Sequence, residues 1–331
     1  MVFSLSRRAA ALGAVSLVLA AGGAFLVLRR QVRGAFAPRT GSTAPLDFQP
    51  LPDPVGPPPR WGGGEVEAVA ATPDAFLTAG AGGVRDDRGE VGLALPTLRA
   101  SALTLWRGEP VAALEAGGAF LRRGGQWEAL RSGFGTLHAR DLKETPGGEL
   151  LIGAREGLFR AAWGARTLER LDAAPVQSLD LTPSGAVIAG GETGLRRVEG
   201  GRVTALPSPD PWIQWVGVSG DSLAVITPLG LARGPLGGAL APLGGGEDAQ
   251  SAAWAGGTLF MVAGGRLVAV DAAGHLSELI LPSQPRKVLA VSGTLFVDTE
   301  AGLYRRAEGR WALARARGNA LPPGSGHVGA L

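Results

Sequence analysis

Short apolar runs alternate with turn-forming residues from about residue 61 to residue 317. In one representative stretch, apolar-rich runs occupy positions 176–181, 186–189, 195–198 and 202–206. The sequences Thr-Pro-Ser-Gly, Gly-Gly-Glu-Thr-Gly and Glu-Gly-Gly stand between them, and all three are rich in turn formers. Runs of this length with such boundaries indicate β-strands. The stretch therefore predicts four short strands in about 37 residues.

A glycine-led phrase repeats along the same region, with Gly-Leu-Phe-Arg at 157–160 and Gly-Leu-Tyr-Arg at 302–305 as its clearest copies. The leading glycine of the seven copies stands at positions 83, 118, 157, 194, 230, 265 and 302. The steps between them are 35, 39, 37, 36, 35 and 37 residues. A period of this size is typical of repeat proteins, whose units bury their faces against each other.

The pattern predicts an all-β fold, a seven-bladed β-propeller of four-stranded blades over residues 61–317. Helical repeats of similar period would show apolar spacing of three to four residues, and none is present. Seven units favour a closed ring over an open solenoid. No exchange of strands between the first and last units is apparent, so we expect the ring to close by packing of one blade on the other.

The order of strand, Thr-Pro-Ser-Gly turn, strand, turn and Gly-Leu-Phe/Tyr-Arg resembles the ligand-binding sensor propellers of two-component regulators. Units three, four and seven match best, and the resemblance implies the fold much more than the function. Members of that family are often the sensing part of a membrane histidine kinase. This chain shows no kinase or DNA-binding pattern after the propeller, so we expect no signalling through a catalytic domain of its own.

Residues 1–33 predict a membrane anchor. Positions 9–28 carry no charge and lie between Arg7-Arg8 and Arg29-Arg30, which suits one transmembrane helix. A cleaved signal peptide is the alternative, because Ala35-Phe36-Ala37 has the small-x-small form. Ser6-Arg7-Arg8 is also similar to a twin-arginine export signal.

The orientation of this anchor has evidence on both sides. Arginines after the span outnumber those before it, which by the positive-inside rule favours a cytoplasmic domain. The short amino-terminal tail, single span and large following domain are the usual layout of an exported, signal-anchored protein. We expect a single-pass membrane protein with the propeller on the periplasmic or extracellular side.

The segments that flank the predicted propeller lack its pattern. Residues 34–60 contain eight prolines and predict an extended linker. Residues 318–331 predict a flexible tail.

Composition narrows the range of functions. The chain has no cysteine, which excludes disulfides, thiolate metal sites and a cysteine nucleophile. Lys143 and Lys287 are its only lysines among 32 basic residues, and the net charge is only +3. So small a net charge gives no reason to expect a nucleic-acid partner.

Candidate binding residues come from aligning the first predicted strand of each unit. All seven residues at the start of these strands are polar, namely Glu67, Arg99, His138, Gln177, Gln214, Gln250 and Lys287. Trp212 and Trp215 flank one of them and are the tryptophans best placed to contact a partner. We expect these seven side chains to form a ring at one mouth of the propeller's central channel. Arg99, His138 and Lys287 should give this ring a mild preference for anionic groups. The alternative is that strand starts are polar because they face solvent.

These residues predict no catalytic site, metal site or cofactor. The three histidines lie in different units or in the tail. The seven aligned residues include one Glu, one His and three Gln, which are a poor set of ligands for a divalent cation. We therefore expect a membrane-tethered, non-catalytic propeller that binds a protein, peptide or glycan as a sensor or assembly component. The alternative is a propeller enzyme with lactonase-like or lyase-like activity outside the cytoplasm.

Overall fold

The computed structural model describes residues 41–50, 65–71, 76–80, 83–86, 91–93, 99–114, 118–307 and 309–316. The predicted span at 9–28, the rest of the linker and the predicted tail at 318–331 lie outside these residues. Within the described ranges, no helix has the length and apolar character needed to cross a bilayer. The regular structure of these ranges is entirely β-strand, which confirms the all-β class.

The strands are numbered in chain order. They are β1 (Thr43–Pro50), β2 (Val66–Ala71), β3 (Phe76–Gly80), β4 (Gly83–Arg85), β5 (Val91–Leu93), β6 (Ala100–Trp106), β7 (Glu109–Leu114), β8 (Gly118–Arg123), β9 (Gln126–Ser132), β10 (Ala139–Glu144), β11 (Glu149–Ala154), β12 (Gly157–Ala162), β13 (Thr167–Asp172), β14 (Ser178–Leu181), β15 (Val187–Gly191), β16 (Gly194–Glu199), β17 (Arg202–Leu206), β18 (Trp215–Ser219), β19 (Ser222–Thr227), β20 (Gly230–Pro235), β21 (Ala241–Pro242), β22 (Ala249–Ala255), β23 (Thr258–Ala263), β24 (Arg266–Val270), β25 (Leu276–Leu279), β26 (Pro285–Val291), β27 (Thr294–Thr299), β28 (Gly302–Ala307) and β29 (Arg310–Ala316).

Five of the sheets are separate antiparallel meanders of four strands. They are β2–β5, β14–β17, β18–β21, β22–β25 and β26–β29, and they correspond to units one, four, five, six and seven. The glycine of the repeated phrase begins or immediately precedes the third strand of each sheet. Gly194, for example, has a φ of 94°, a backbone conformation that glycine adopts without strain.

Units two and three do not form separate sheets. Their strands belong to one nine-stranded sheet with the order β10-β11-β12-β13-β1-β9-β8-β7-β6. Strand β1 joins the two halves, because Thr43 to Pro45 pair with β13 and Leu46 to Pro50 pair with β9. The expectation of seven separate blades is therefore wrong: five blades are separate, and the strands of the other two units are merged.

The linker prediction also changes at β1. Residues 43–50, which the sequence places in an extended linker, form a strand of the propeller. Each half of β1 pairs on one side only, and a proline in an edge position is compatible with strand pairing. Leu46 is 5% exposed and packs into the apolar cluster between units two and three.

The apolar core is divided among the interfaces between neighbouring sheets. Each cluster of buried side chains combines residues of two successive units, as where Leu151 and Leu158 meet Val187 and Ala189. One cluster joins the last unit to the first, with Phe296 and Leu303 against Val66 and Val69. The β-sheets therefore form a closed ring, and each of the sheets β2–β5 and β26–β29 contains strands of one unit only.

Candidate functional site

A channel of about 760 Å³ runs along the innermost strands. Its wall contains the first strand of each separate sheet and both end strands of the nine-stranded sheet, β6 and β10. Because β6 and β10 are the two ends of that sheet, the merged strands still contribute two segments to the channel wall. The start of each innermost strand lies at one mouth of the channel, which we call the entry mouth.

Innermost strands share an irregularity next to the entry mouth. In units one, two, three, six and seven, the pairing with the second strand skips one residue. In units four and five, the equivalent residue directly precedes the first paired residue of the strand. The residues at this equivalent position are Glu67, Ser101, Arg140, Gln177, Gln214, Gln250 and Arg286.

This register corrects three of the seven predicted residues. Arg99 and His138 lie two residues before the equivalent position, which Ser101 and Arg140 occupy instead. Lys287 lies one residue after it, and Arg286 takes that place. Four predicted residues, Glu67, Gln177, Gln214 and Gln250, do share the position.

Three consecutive units present glutamine at the entry mouth. Gln177, Gln214 and Gln250 are exposed, and their side-chain amides form no hydrogen bond with another residue in the described part of the chain. Backbone bonds hold two of them in place, with Gln177 N donating to Gly190 O over 2.8 Å and Gln214 N donating to Ile226 O over 2.8 Å. An amide offers both donors and an acceptor. This part of the mouth can therefore form hydrogen bonds with a ligand of either polarity.

The predicted cations of the ring are paired with carboxylates. Arg99 Nη2 lies 2.8 Å from Glu65 Oε2 and also contacts Glu67. Lys287 Nζ contacts the other oxygen of Glu67, so one carboxylate links the first, second and last units. Burial and then the nearby Arg99 guanidinium lower the pKa of Lys287 to about 8, against the opposing effect of acidic groups around it.

His138 is also engaged, because Glu156 accepts a hydrogen bond of 2.8 Å from its backbone N–H and lies 2.6 Å from its Nδ1. The three side chains from which we expected a preference for anions are thus occupied by Glu65, Glu67 and Glu156. These side chains hold the mouth together and are not free for a ligand.

Below the mouth, polar side chains bond across the junctions between units. Asp141 accepts from Leu179 N over 2.8 Å, Ser178 from Val216 N over 3.2 Å and Ser251 from Val288 N over 2.8 Å. The three acceptors occupy the same register position, one residue after the equivalent position at the mouth. Burial raises the pKa of Asp141, and the Asp180 carboxylate 3.2 Å away raises the pKa of Lys143.

In the fifth unit, Trp215 occupies the register position that Asp141, Ser178 and Ser251 occupy in their units. A Cβ added to Gly217 would lie 2.2 Å from Trp215 Cη2 and 2.9 Å from Trp254 Cδ1. The absence of a side chain at Gly217 therefore lets two indole rings approach each other on the channel wall. Both tryptophans are partly exposed there, and the Trp254 Nε1 group has no hydrogen-bond partner among the described residues.

Trp212 is presented at the entry mouth by a stiff loop. Its side chain is 51% exposed, whereas the neighbouring Ile213 is fully buried. Asp210 accepts a 2.7 Å hydrogen bond from Trp212 N, and Ile213 N donates to Gly191 O over 3.0 Å. The prolines at 207, 209 and 211 restrict the same loop. An exposed indole on a rigid support is a frequent anchor in protein interfaces.

Among the described residues, no group of three or more His, Asp or Glu side chains is arranged to hold a metal ion. The entry mouth offers hydrogen-bonding amides, an exposed indole and an aromatic channel wall. This arrangement can recognise a ligand through hydrogen bonds and apolar contact.

The chain matches no family model, and no curated protein matches its sequence. Among solved structures, it is similar to the WD40 β-propeller domain of Doa1, with a TM-score of 0.58, 14% identity and coverage of 82% of this chain and 99% of that one. It is also similar to virginiamycin B lyase from Staphylococcus aureus, with a TM-score of 0.56, 14% identity and coverage of 78% and 97%. These likenesses show a β-propeller fold alone.

The extracellular domain of a putative one-component system from B. thetaiotaomicron also matches, with a TM-score of 0.46 and 13% identity. The match covers 78% of this chain and 41% of that one, so the chain spans less than half of that domain.

Proposed function

We propose that this protein is a non-catalytic binding propeller that uses the entry mouth of its channel to hold a protein, peptide or glycan partner. The role would be that of a sensor or an assembly component. The observation that carries the proposal is the cluster of unengaged recognition groups at one mouth. Three exposed glutamine amides occupy equivalent positions on neighbouring innermost strands, and the exposed indole of Trp212 lies two residues before one of them, Gln214, while the nearby cations are already paired.

The nine-stranded sheet takes the place of two of the seven expected blades in this proposal. Seven innermost strands then surround the channel, and the glutamines of units four, five and six form one continuous arc at its mouth. A partner that covers this arc would replace water on neighbouring amides. The backbone at Gln177 and Gln214 is already held by hydrogen bonds, so binding would order only their side chains.

The proposed location of the propeller rests on the amino-terminal sequence. We propose that the apolar segment at 9–28 anchors the protein and that the propeller lies on the non-cytoplasmic side. An export-dependent reporter fused after Arg39 tests this, because the fusion keeps the apolar segment and removes the propeller. An active reporter is expected, and an inactive but stable fusion would place the propeller in the cytoplasm.

Affinity co-purification tests the binding role. Tagged full-length protein is isolated from membranes in mild detergent, beside the variant Gln177→Ala/Gln214→Ala/Gln250→Ala. A matched control carries Gln126→Ala/Thr204→Ala/Ser277→Ala, three exposed polar positions away from the entry mouth. We expect a partner retained by the normal protein and the control but lost by the mouth variant, with equal melting temperatures.

The same experiment has two outcomes against the proposal. Loss of the partner from both variants alike would remove the entry mouth as its site. Absence of a partner from every sample, including chemically cross-linked membranes, would contradict a binding role and favour the enzymatic alternative. Turnover on panels of esters and lactones would then be measured.

A further inference from the structure

Charge is unevenly distributed over the loops that surround the entry mouth. In units four to six, the loops and turns on this side are residues 192–193, 207–214, 228–229, 243–248 and 264–265. Their charged side chains are Glu192, Asp210, Glu247 and Asp248, and these ranges contain no Lys, Arg or His. The whole chain has a net charge of +3 and a calculated pI of about 10.1. An acidic region on so basic a protein is a local feature of this face.

The loops that carry the acidic residues touch in two pairs, and a hydrogen bond of 2.8 Å from Gln214 N to Ile226 O connects the first pair to the strand that leads into the turn with Leu229. The loop with Asp210 and Trp212 is bonded to the turn before Glu192 through Ile213 N and Gly191 O, 3.0 Å apart. The turn with Leu229 packs on the loop with Glu247, where Leu231 N donates to Gly246 O over 2.8 Å.

Further contact confirms this arrangement, because a Cβ added to Gly230 would lie 2.7 Å from the Cα of Glu247. We call these six residues the acidic apolar surface: Glu192, Asp210, Trp212, Leu229, Glu247 and Asp248.

Two large apolar side chains project from this surface. Leu229 is 65% exposed and Trp212 is 51% exposed, although both belong to well-braced turns. Leu229 N donates to Thr227 Oγ1 over 3.1 Å, and the Asp210 carboxylate accepts from Trp212 N. Exposed apolar groups within a charged rim mark interaction sites more often than isolated surface residues do. The side chains of Glu192, Glu247 and Asp248 form no ion pair within the described residues, so their charges face solvent.

We infer that the acidic apolar surface docks a basic protein segment that carries at least one large apolar side chain between arginines or lysines. Opposite charge would bring the segment to the face, and burial of its apolar group on Trp212 and Leu229 would hold it. This inference rests on the proposed binding function and gives its partner a chemical class. It reverses the preference for anions that the sequence predicts, because Arg99, His138 and Lys287 are paired and the free charges on these loops are carboxylates.

Two labelled peptides of equal length test the inference with the full-length protein in detergent. In one peptide arginines alternate with Gly-Leu pairs, and in the other glutamates replace the arginines. Binding is measured by fluorescence anisotropy. The variant Glu192→Gln/Glu247→Gln/Asp248→Asn removes three charges but leaves Asp210 to brace its loop. The control Glu199→Gln/Asp221→Asn/Glu278→Gln removes three exposed carboxylates elsewhere.

We expect the arginine peptide to bind and the glutamate peptide to bind far more weakly. Removal of the three charges should raise the Kd about tenfold, and Trp212→Ala should raise it about thirtyfold. The control should leave the Kd unchanged, and added salt should weaken binding to the normal protein. Equal binding of both peptides, no binding of the arginine peptide, or an equal effect of the control would overturn the inference.

Co-purification separates this inference from the proposed function. A natural partner that is lost with the glutamine variant but bound normally by the acidic-surface variant would leave the binding role standing and the basic-segment inference wrong. Loss of that partner with both variants would support the inference.

Discussion

Arg196 bonds unit four to unit three through a buried ion pair. Its Nε lies 2.6 Å from Asp172 Oδ2, and both side chains are less than 10% exposed. Its Nη2 also donates to Pro175 O over 3.1 Å. Several acceptors offset the cost of burying the Arg196 guanidinium, whereas the buried Asp172 carboxylate has this guanidinium as its counter-charge.

Replacing Arg196 with Ala should lower the free energy of unfolding by about 3–5 kcal/mol, because it leaves a buried carboxylate without its counter-charge. The adjacent Arg197 provides a matched control, since its pair with Glu199 is largely exposed. Arg197→Ala should cost about 0–1 kcal/mol. Chemical denaturation of the three proteins measures both values, and equal effects of the two substitutions would show that the buried pair has no special weight.

The two lysines should differ in reactivity. Lys287 has a pKa lowered to about 8, whereas the pKa of Lys143 is raised by Asp180. Their side chains are similarly accessible, at 31% and 41% exposure. At pH 8, an amine-specific acylating reagent should modify Lys287 well before Lys143, because only the neutral amine is nucleophilic. Peptide mass spectrometry measures the order, and unfolded protein should show no preference.

The lowered pKa of Lys287 also makes the stability of the folded protein depend on pH. A lysine whose folded pKa is low gives up its proton at a lower pH in the folded state than in the unfolded state. The unfolded chain therefore binds more protons between about pH 8 and 10.4, and the contribution of Lys287 to the free energy of unfolding rises with pH across that window. Faster acylation of Lys143 in the folded protein would contradict this assignment.

At the scale of single residues, the sequence indicates which strand starts are polar but not how they align. One skipped residue shifts the register at the entry mouth. Nothing in the sequence around Arg99 or His138 shows that these residues precede the equivalent position. The pairing of Lys287 with Glu67 joins residues 220 positions apart. Such a contact depends on ring closure and has no local signal.

Among the strands, β1 is the one that the sequence pattern does not predict. Its own prolines and those around it predict an extended linker, yet the strand pairs with the edge strands β9 and β13. The strands of units four and seven were predictable because each has a clear apolar run and a turn at both ends. The predicted run at 202–206 coincides with β17, Arg202–Leu206. Strand β1 lies outside the repeat, so the periodicity carries no information about it.

Removal of β1 should destabilise the propeller. A chain that begins at Thr40 keeps Leu46 buried and Phe48 beside Trp106, whose ring centroids are 6.4 Å apart. A chain that begins at Leu51 loses both contacts and exposes the edges of two strands, so its melting temperature should be clearly lower. Within the longer chain, Leu46→Ala should cost about 2–5 kcal/mol.

The exposed neighbour of Leu46 gives the control for β1. Asp47→Ala should change the free energy of unfolding by less than about 0.5 kcal/mol. Identical melting of the two truncated chains would mean that β1 adds nothing to stability.

For the whole molecule, closure depends on direct contact between the last and first sheets. Phe76 and Phe296 have ring centroids 5.5 Å apart, Lys287 contacts Glu67, and Arg315 donates to Thr78. The sequence predicts this mode of closure from the absence of strand exchange, and the contacts agree with it. The merging of units two and three was not predictable, because it depends on β1.

Deletion of residues 285–316 removes the last sheet and exposes both interfaces that it covers. We expect loss of cooperative unfolding in the remaining chain, because apolar side chains of β2 and of β22–β25 would face water. Differential scanning calorimetry measures the change. A shortened protein that melts as sharply as the complete ring would show that the units are stable without closure.

Strand β1 also determines where mechanical load enters the ring. Tension on the chain before Gly41 reaches the propeller first through this strand, which runs antiparallel to both β9 and β13. A pull along its axis acts on the ladder bonds in shear, so that many bonds share the force at once. Single-molecule pulling at residue 41 should show one high-force rupture, whereas a series of weak steps would indicate peeling. The propeller would then receive traction at units two and three, away from the junction of β26 with β2.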